Sequence, residues 1–262
     1  MTRKEITRAL GTAEEAARAA GEILSAKLNS KKRANSSSQH DIKLELDVKC
    51  QQLIEGFLVD RHPTIAILGE EGETGLVEGD LRWVVDPIDG TVNFTYGIPH
   101  ACVSIALQRR CGTRYETLLG LVYDPFMDEM WTATNFGPAR MNGRKIKVSQ
   151  RAKLEECILA IGFSKSKASM ELMLPSFGRL LPRVRKMRIM GAAALSLCWV
   201  AAGRMDAFVE SGVCLWDIAA GGLILERAGG DFFCRPIDGY QRFRMVANNG
   251  LIRRKIERCL KP

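Results

Sequence analysis

No stretch of this chain approaches the roughly 18 uninterrupted apolar residues that a membrane-crossing helix needs. The opening segment, MTRKEITRALGTAEEAARAAG, lacks the continuous apolar core of a signal peptide and carries charges throughout. The expected location is cytoplasmic, with no membrane partner. Histidine is scarce, at three residues, which disfavours a centre rich in imidazole ligands. A bound metal would be a hard ion held by oxygen. Aromatic residues make up only 7%, leaving few stacking platforms for a single-stranded nucleic acid. Cysteine occurs eight times but never as a CxxC pair. Several cysteines stand inside apolar runs (HACVSIAL, LSLCWV), where a free thiol behaves as a small buried hydrophobe. That spacing speaks against a zinc site or a disulfide framework.

What is present is ample material for a core. The 262 residues are 46% hydrophobic, enough for one large domain or two smaller ones sharing a core. The net charge is +8, with basic runs at residues 179–188 (RLLPRVRKMR), 31–33 and 253–255. Without an accompanying nucleic-acid signature, such runs read first as a solvated surface or a positive field that attracts anionic substrates. A dedicated nucleic-acid site is the second reading.

Ile6, Leu10, Ala13, Ala17, Ala20 and Leu24 form a helical stripe over the first 28 residues. The polar NSKKRANSSSQ reads as a loop, and VKCQQLIEGFL (residues 48–58) as a second amphipathic helix. TIAIL, LRWVVD, ACVSIALQ, TLLGLVYD and EMWTAT are strand-like and closely spaced, the pattern of a largely antiparallel or mixed sheet. After about residue 150, strands (ILAIGF, MRIM, DAFVE, RMVAN) alternate with helices. The helix candidates GAAALSLCWVAAG and WDIAAGGLILERAGG are apolar on nearly every side, which predicts burial between layers. The expected organisation is an α+β part over 1–150 and an α/β part over 151–262.

The chemistry concentrates at element ends. The apolar strand of WVVDPIDGTVNF runs into Asp86, and Pro87 is expected to halt the ladder there. Asp89 follows at once, with Gly90 and Thr91 behind it. Two carboxylates gathered by a tight turn repel each other unless a cation lies between them. Magnesium suits such a set, because it prefers oxygen ligands and keeps waters for a substrate phosphate. Asp-Pro and Asp-Gly are also common turn pairs, and spacing alone leaves both readings open. Three further segments bear on the choice. LGEEG places Glu70 after the strand TIAIL. WDIAAGG places Asp217 at the start of a buried helix, where an N-cap role is the plainer alternative. GAAAL, from Gly191 to Leu195, opens another helix with backbone N–H groups an anion could approach.

Taken together these segments resemble the inositol monophosphatase family, whose two signature motifs match DPIDGT with the following NF, and WDIAAG. The likeness extends to GEE, to Asp41 and Asp47 in HDIKLELD, to GAAAL and to MVANN, covering about residues 10–250. The resemblance implies a layered α/β/α/β/α sandwich, usually a homodimer, and a Mg2+-dependent, lithium-sensitive phosphomonoesterase. It implies two or three Mg2+ ions, with Glu70, Asp86 and the Ile88 carbonyl on one and Asp86, Asp89 and Asp217 on a second. Glu70 and Thr91 would orient and help deprotonate the attacking water, and Asp89 would act with them. Gly90 and Thr91 amides would bind phosphate, while Gly191, Ala193, Glu210 and Asp217 would face the substrate.

The implied substrate is myo-inositol monophosphate or a similar small polyol phosphate. Fructose 1,6-bisphosphate, histidinol phosphate and a 3′-phosphoadenosine nucleotide are the alternatives, as is an added RNA- or transcription-binding role through residues 179–188. The chain departs from the family at Ser36, where a lysine is frequent, although Lys32 and Arg33 stand nearby. Leu44 and Leu46 replace frequent threonines, and Ala192 replaces a Ser or Thr after Gly191. These departures spare the metal ligands and bear on specificity.

Overall fold

The computed structural model describes residues 1–30, 34–37, 42–75, 79–163, 167–238 and 241–260. Its helices are α1 (Arg3–Lys27), α2 (Glu45–Arg61), α3 (Thr91–Thr95), α4 (Lys167–Leu180), α5 (Ala193–Ala201), α6 (Leu215–Arg227) and α7 (Arg253–Leu260). β1 (Ala34–Ser37) lies in the segment read as a loop and pairs antiparallel with β2 (Ile42–Leu44), which falls just beyond it. Lys32, Arg33 and Asp41 fall outside the described residues.

The larger sheet contains β3 (Ala66–Gly69), β4 (Gly72–Thr74), β5 (Leu81–Asp89), β6 (Cys102–Cys111), β7 (Arg114–Asp124), β8 (Glu129–Thr134), β9 (Arg140–Met141) and β10 (Arg144–Lys145). Their order is β10-β9-β8-β7-β6-β5-β3-β4, antiparallel except for the β3–β5 pair. The smaller sheet contains β11 (Ile158–Ile161), β12 (Lys186–Arg188), β13 (Ala207–Cys214), β14 (Asp231–Asp238) and β15 (Arg242–Asn248), ordered β12-β11-β13-β15-β14.

Side-chain alternation along the strands separates the layers. Trp83 and Val85 of β5, Ile105 of β6 and Leu121 of β7 face α1 and α2, sharing a core with Ala13, Ala17, Ala20 and Ile54. Val84, Ala106 and Val122, one residue out of phase, join a central core built on α5 and α6. Phe208 and Ala247 close that core from the smaller sheet. Val209 and Val246 point the other way, onto Met173 of α4 and Ile256 of α7. Three cores between five layers give the α/β/α/β/α sandwich. The apolar all-round helices α5 and α6 lie between the sheets, as their composition predicts.

Small residues allow the central layer to close. A Cβ on Gly120 of β7 would lie 2.6 Å from the Ala220 carbonyl oxygen of α6. Gly221 and Gly222 likewise give room to Leu197 of α5 and Phe232 of β14. The Ala-Ala-Gly-Gly run therefore lets α6 sit directly on sheet and helix, and this seats Asp217.

One expectation about the strands is corrected. Pro87 does not stop β5: the strand continues to Asp89, with a register shift against β6 between Asp86 and Asp89. A bulge tolerates a residue without an N–H, and it re-aims the side chains on either side. α4 carries Pro175 in its interior and packs Met173, Ser176 and Leu180 inward. Among the described residues no helix is long and apolar enough to cross a membrane.

Candidate metal centre

Three elements deliver the carboxylates. The β5 bulge supplies Asp86 and Asp89, and the Ile88 N–H between them donates to Asp86 Oδ1 at 3.0 Å. Gly90 then turns the chain at φ 93°, where a Cβ would lie 2.8 Å from the His100 carbonyl oxygen. Only glycine fits that left-handed, crowded position. Glu70 follows β3 directly, its N–H bonded to the Val85 carbonyl at 3.1 Å, so that it ends level with Asp86 on the neighbouring strand. Asp217 is not the N-cap of α6 but its third residue, and its Oδ2 accepts the Cys214 N–H at 2.8 Å in a capping box. One oxygen is thus used to fix the side chain.

Oxygens of Asp86, Asp89 and Asp217 all come within 4.8 Å of one another, and Asp86 and Asp89 are buried. Burial pushes the Asp86 carboxyl well above the ordinary range, and Glu70, Asp89 and Asp217 push it further; Glu70 also shares a hydrogen bond with it. Burial, then Asp89 and Glu70, drive Asp217 the same way. Asp89 rises only to about 6, because the Ala193 and Ala194 amides and the Cys102 thiol oppose the effect of burial. Those donors stand 3.0, 2.7 and 3.6 Å from its oxygens.

The amides at the start of α5 therefore serve a protein carboxylate, where the sequence suggested an approaching anion. They use the helix N-terminus to hold Asp89 in place. Ala193, expected to face substrate, spends its N–H on this bond. The donor set fits a hard divalent cation: all donors are oxygen, two are buried, and a bound cation would relieve the repulsion that otherwise favours their protonation.

The remaining expected residues rim this cluster. The Thr91 hydroxyl donates to the Ile88 carbonyl at 2.9 Å, and the Gly90 and Thr91 amides open the first turn of α3, where helix amides lack intrahelical partners. Gly191, at φ 75°, packs against Asn93. Asn93 itself was not singled out as a functional residue. Its Nδ2 donates to the carbonyls of both His100 and Met190 at 2.9 Å, fastening the loop after α3 to the segment before α5. The NF after DGT was the available signal. Glu210 on β13 lays its carboxyl where a Cβ on Gly162 would stand. Burial and then Asp89 lift its pKa to about 8. Asp47 is buried on α2, and all eight cysteines are free.

A carboxylate cluster at the joint of two sheets, framed by two helix starts, defines an α/β protein with a site that could hold a hard cation. Comparison with known proteins gives the particular class. Residues 5–256 match the model of the inositol monophosphatase family. Inositol monophosphatase 1 of Solanum lycopersicum is 37% identical over 231 residues, covering 86% of this chain and 83% of the relative. Nus factor SuhB of Pseudomonas aeruginosa is 39% identical over 231 residues, covering 84% and 83%. Among solved structures, the suhB protein of Bartonella henselae superposes with a TM-score of 0.89 at 33% identity, covering 96% of this chain and 98% of that one. The chain belongs to the inositol monophosphatase family and is a hydrolase of phosphomonoesters.

Proposed function

We propose that this protein is a Mg2+-dependent, lithium-sensitive phosphatase whose substrate is myo-inositol monophosphate, released as inositol and phosphate. The convergence of Asp86, Asp89 and Asp217 within 4.8 Å carries the metal reading. Glu70, Asp86, the Ile88 carbonyl, Asp89 and Asp217 would hold two or three Mg2+ ions. When bound, these ions would neutralise phosphate charge and make a water nucleophilic near neutral pH. Glu70 and Thr91 orient the attacking water, and Glu70 takes its proton. The Gly90 and Thr91 amides receive phosphate oxygens, as helix-start amides do. Glu210, Gly191, Ala193 and Asp217 bound the side where the alcohol lies. Glu210, recessed beside the cluster, suits a ring hydroxyl.

Several relatives are named inositol monophosphatases, which supports this substrate over fructose 1,6-bisphosphate, histidinol phosphate and 3′-phosphoadenosine nucleotides. A phosphate-release screen over these compounds with Mg2+ tests the choice; a preference outside the inositol phosphates would overturn it. Lithium at millimolar concentration should inhibit, and an active but insensitive enzyme would contradict that part. The family relation also supports a homodimer, which light scattering would read as about twice the 29.1 kDa chain mass. Eight free cysteines fit a reducing cytoplasm.

A second reading, an added RNA- or transcription-binding role, is favoured by the relatives named Nus factor SuhB. Within the basic run, Arg179 is tied to the Cys259 carbonyl and Arg183 to that of Arg179. Arg188 donates to the Met187 carbonyl at 2.9 Å, which leaves Arg185 and Lys186 for a partner beside and on the sheet-edge strand β12. Salt-dependent binding of RNA fragments, lost in an Arg185→Ala/Lys186→Ala variant, would support it; undiminished binding would not.

A further inference from the structure

Glu70 sits in a tight turn between β3 and β4, and the cluster alone does not explain what holds that turn. The answer lies across the sheet, on α2. Gln51 is buried there, at 5% exposure. Its Oε1 accepts the N–H of Glu71 at 2.9 Å, and its Nε2 donates to the Gly72 carbonyl at 3.3 Å. A Cβ on Gly69 would overlap the same carboxamide, so the glycine before Glu70 exists in contact with Gln51. One side chain thus touches the residue before Glu70 and the two after it. Glu55, one turn along α2, braces the clamp: its Oε1 accepts from Gln51 Nε2 at 2.9 Å. Its Oε2 accepts the Thr74 hydroxyl at 3.2 Å.

We propose that Gln51 is a positioning residue that fixes Glu70 against the carboxylate cluster by clamping residues 69–72, with Glu55 as its brace. The amide is the chemistry the place requires. It must accept from one backbone N–H and donate to both a carbonyl and a carboxylate, and only an amide of this length offers both. A glutamate at position 51 would keep the acceptor, lose both donated bonds and set a second carboxylate against Glu55. An alanine would remove all three side-chain bonds and leave the turn to the β3–β4 ladder. Supporting groups of this kind fix the reacting set to within fractions of an ångström, which is where rate is lost when they go.

The inference rests on Glu70 acting in the metal site, and Glu70→Gln is therefore run alongside. Gln51→Glu, Gln51→Met and Gln51→Glu/Glu55→Gln are compared with wild type for inositol 1-phosphate hydrolysis. The midpoint of the Mg2+-induced rise in Tm is also read with no substrate present. Ser176→Ala, which removes a buried hydrogen bond in α4 far from the site, controls for general destabilisation and should leave kcat unchanged. Gln51→Glu should lower kcat by roughly tenfold, with KM little changed and the Mg2+ midpoint raised. The exchanged pair should recover roughly threefold of that loss, since the amide moved to position 55 can donate to the carboxylate moved to position 51. Gln51→Met keeps the volume, so it reports the same loss should the glutamate variant fail to fold. Wild-type kcat and Mg2+ midpoint in folded Gln51→Met and Gln51→Glu would overturn the proposal while leaving the site reading standing. Full activity in Glu70→Gln would overturn both.

Discussion

Asp89 and Glu210 show how neighbouring carboxylates acquire different characters from their surroundings. Asp89 receives two amides and a thiol and rises only to about 6, whereas Glu210, recessed without such donors among its principal influences, reaches about 8. A carboxyl raised from 4.5 to about 8 favours folding below the unfolded pKa, and that contribution is lost as pH rises toward 8. In EDTA, Glu210→Gln should therefore raise Tm at pH 8 and leave it nearly unchanged at pH 4, by about 2–4 °C for each kcal/mol of desolvation removed. Its KM for inositol 1-phosphate should rise about tenfold with a smaller change in kcat, if the carboxylate serves substrate binding. An unchanged KM would remove Glu210 from the substrate side. This role was legible in the sequence only through family likeness, because an isolated DAFVESG reads equally well as a strand-end charge.

At the scale of elements, the site depends on how closely α6 lies on β7. Gly120→Ala adds a single methyl group against the Ala220 backbone, where neither partner can rotate away. It should cost about 1–3 kcal/mol in urea unfolding. It should also lower phosphatase activity, because α6 carries Asp217; unaltered activity in a destabilised protein would uncouple helix seating from the site. The local part of this arrangement was readable beforehand. The apolar character of α5 and α6 announced the central layer, and DPIDGT announced the strand end at which Asp86 and Asp89 gather. Contacts distant in sequence were not readable. Nothing in GAAAL says that its amides meet Asp89, 104 and 105 residues earlier, and nothing in VKCQQLIEGFL marks Gln51 as a clamp on Glu70. Pro87 misled because a bulge absorbs it.

For the whole molecule, the raised carboxylates mean that the metal-free fold holds repulsion at its centre. Asp86, Asp89 and Asp217 all lie above their ordinary values. Their contribution favours folding at acid pH and is lost as pH rises through the raised values. In EDTA, Tm should fall as pH is raised from about 5 to 8, and Mg2+ should restore it most at the alkaline end. An ion at about 100 times its Kd adds about 2.7 kcal/mol. A Mg2+ shift equal at both pH values would mean that the cluster is not where the ion binds.

The most direct test is phosphate release from inositol 1-phosphate over a Mg2+ titration, with wild type and Asp89→Asn measured together and folding followed by circular dichroism. The wild type should be inactive in EDTA and gain activity with Mg2+, while Asp89→Asn loses it by orders of magnitude with its fold intact. Full wild-type activity in EDTA, or an Asp89→Asn variant as active as wild type, would contradict the metal-centred account.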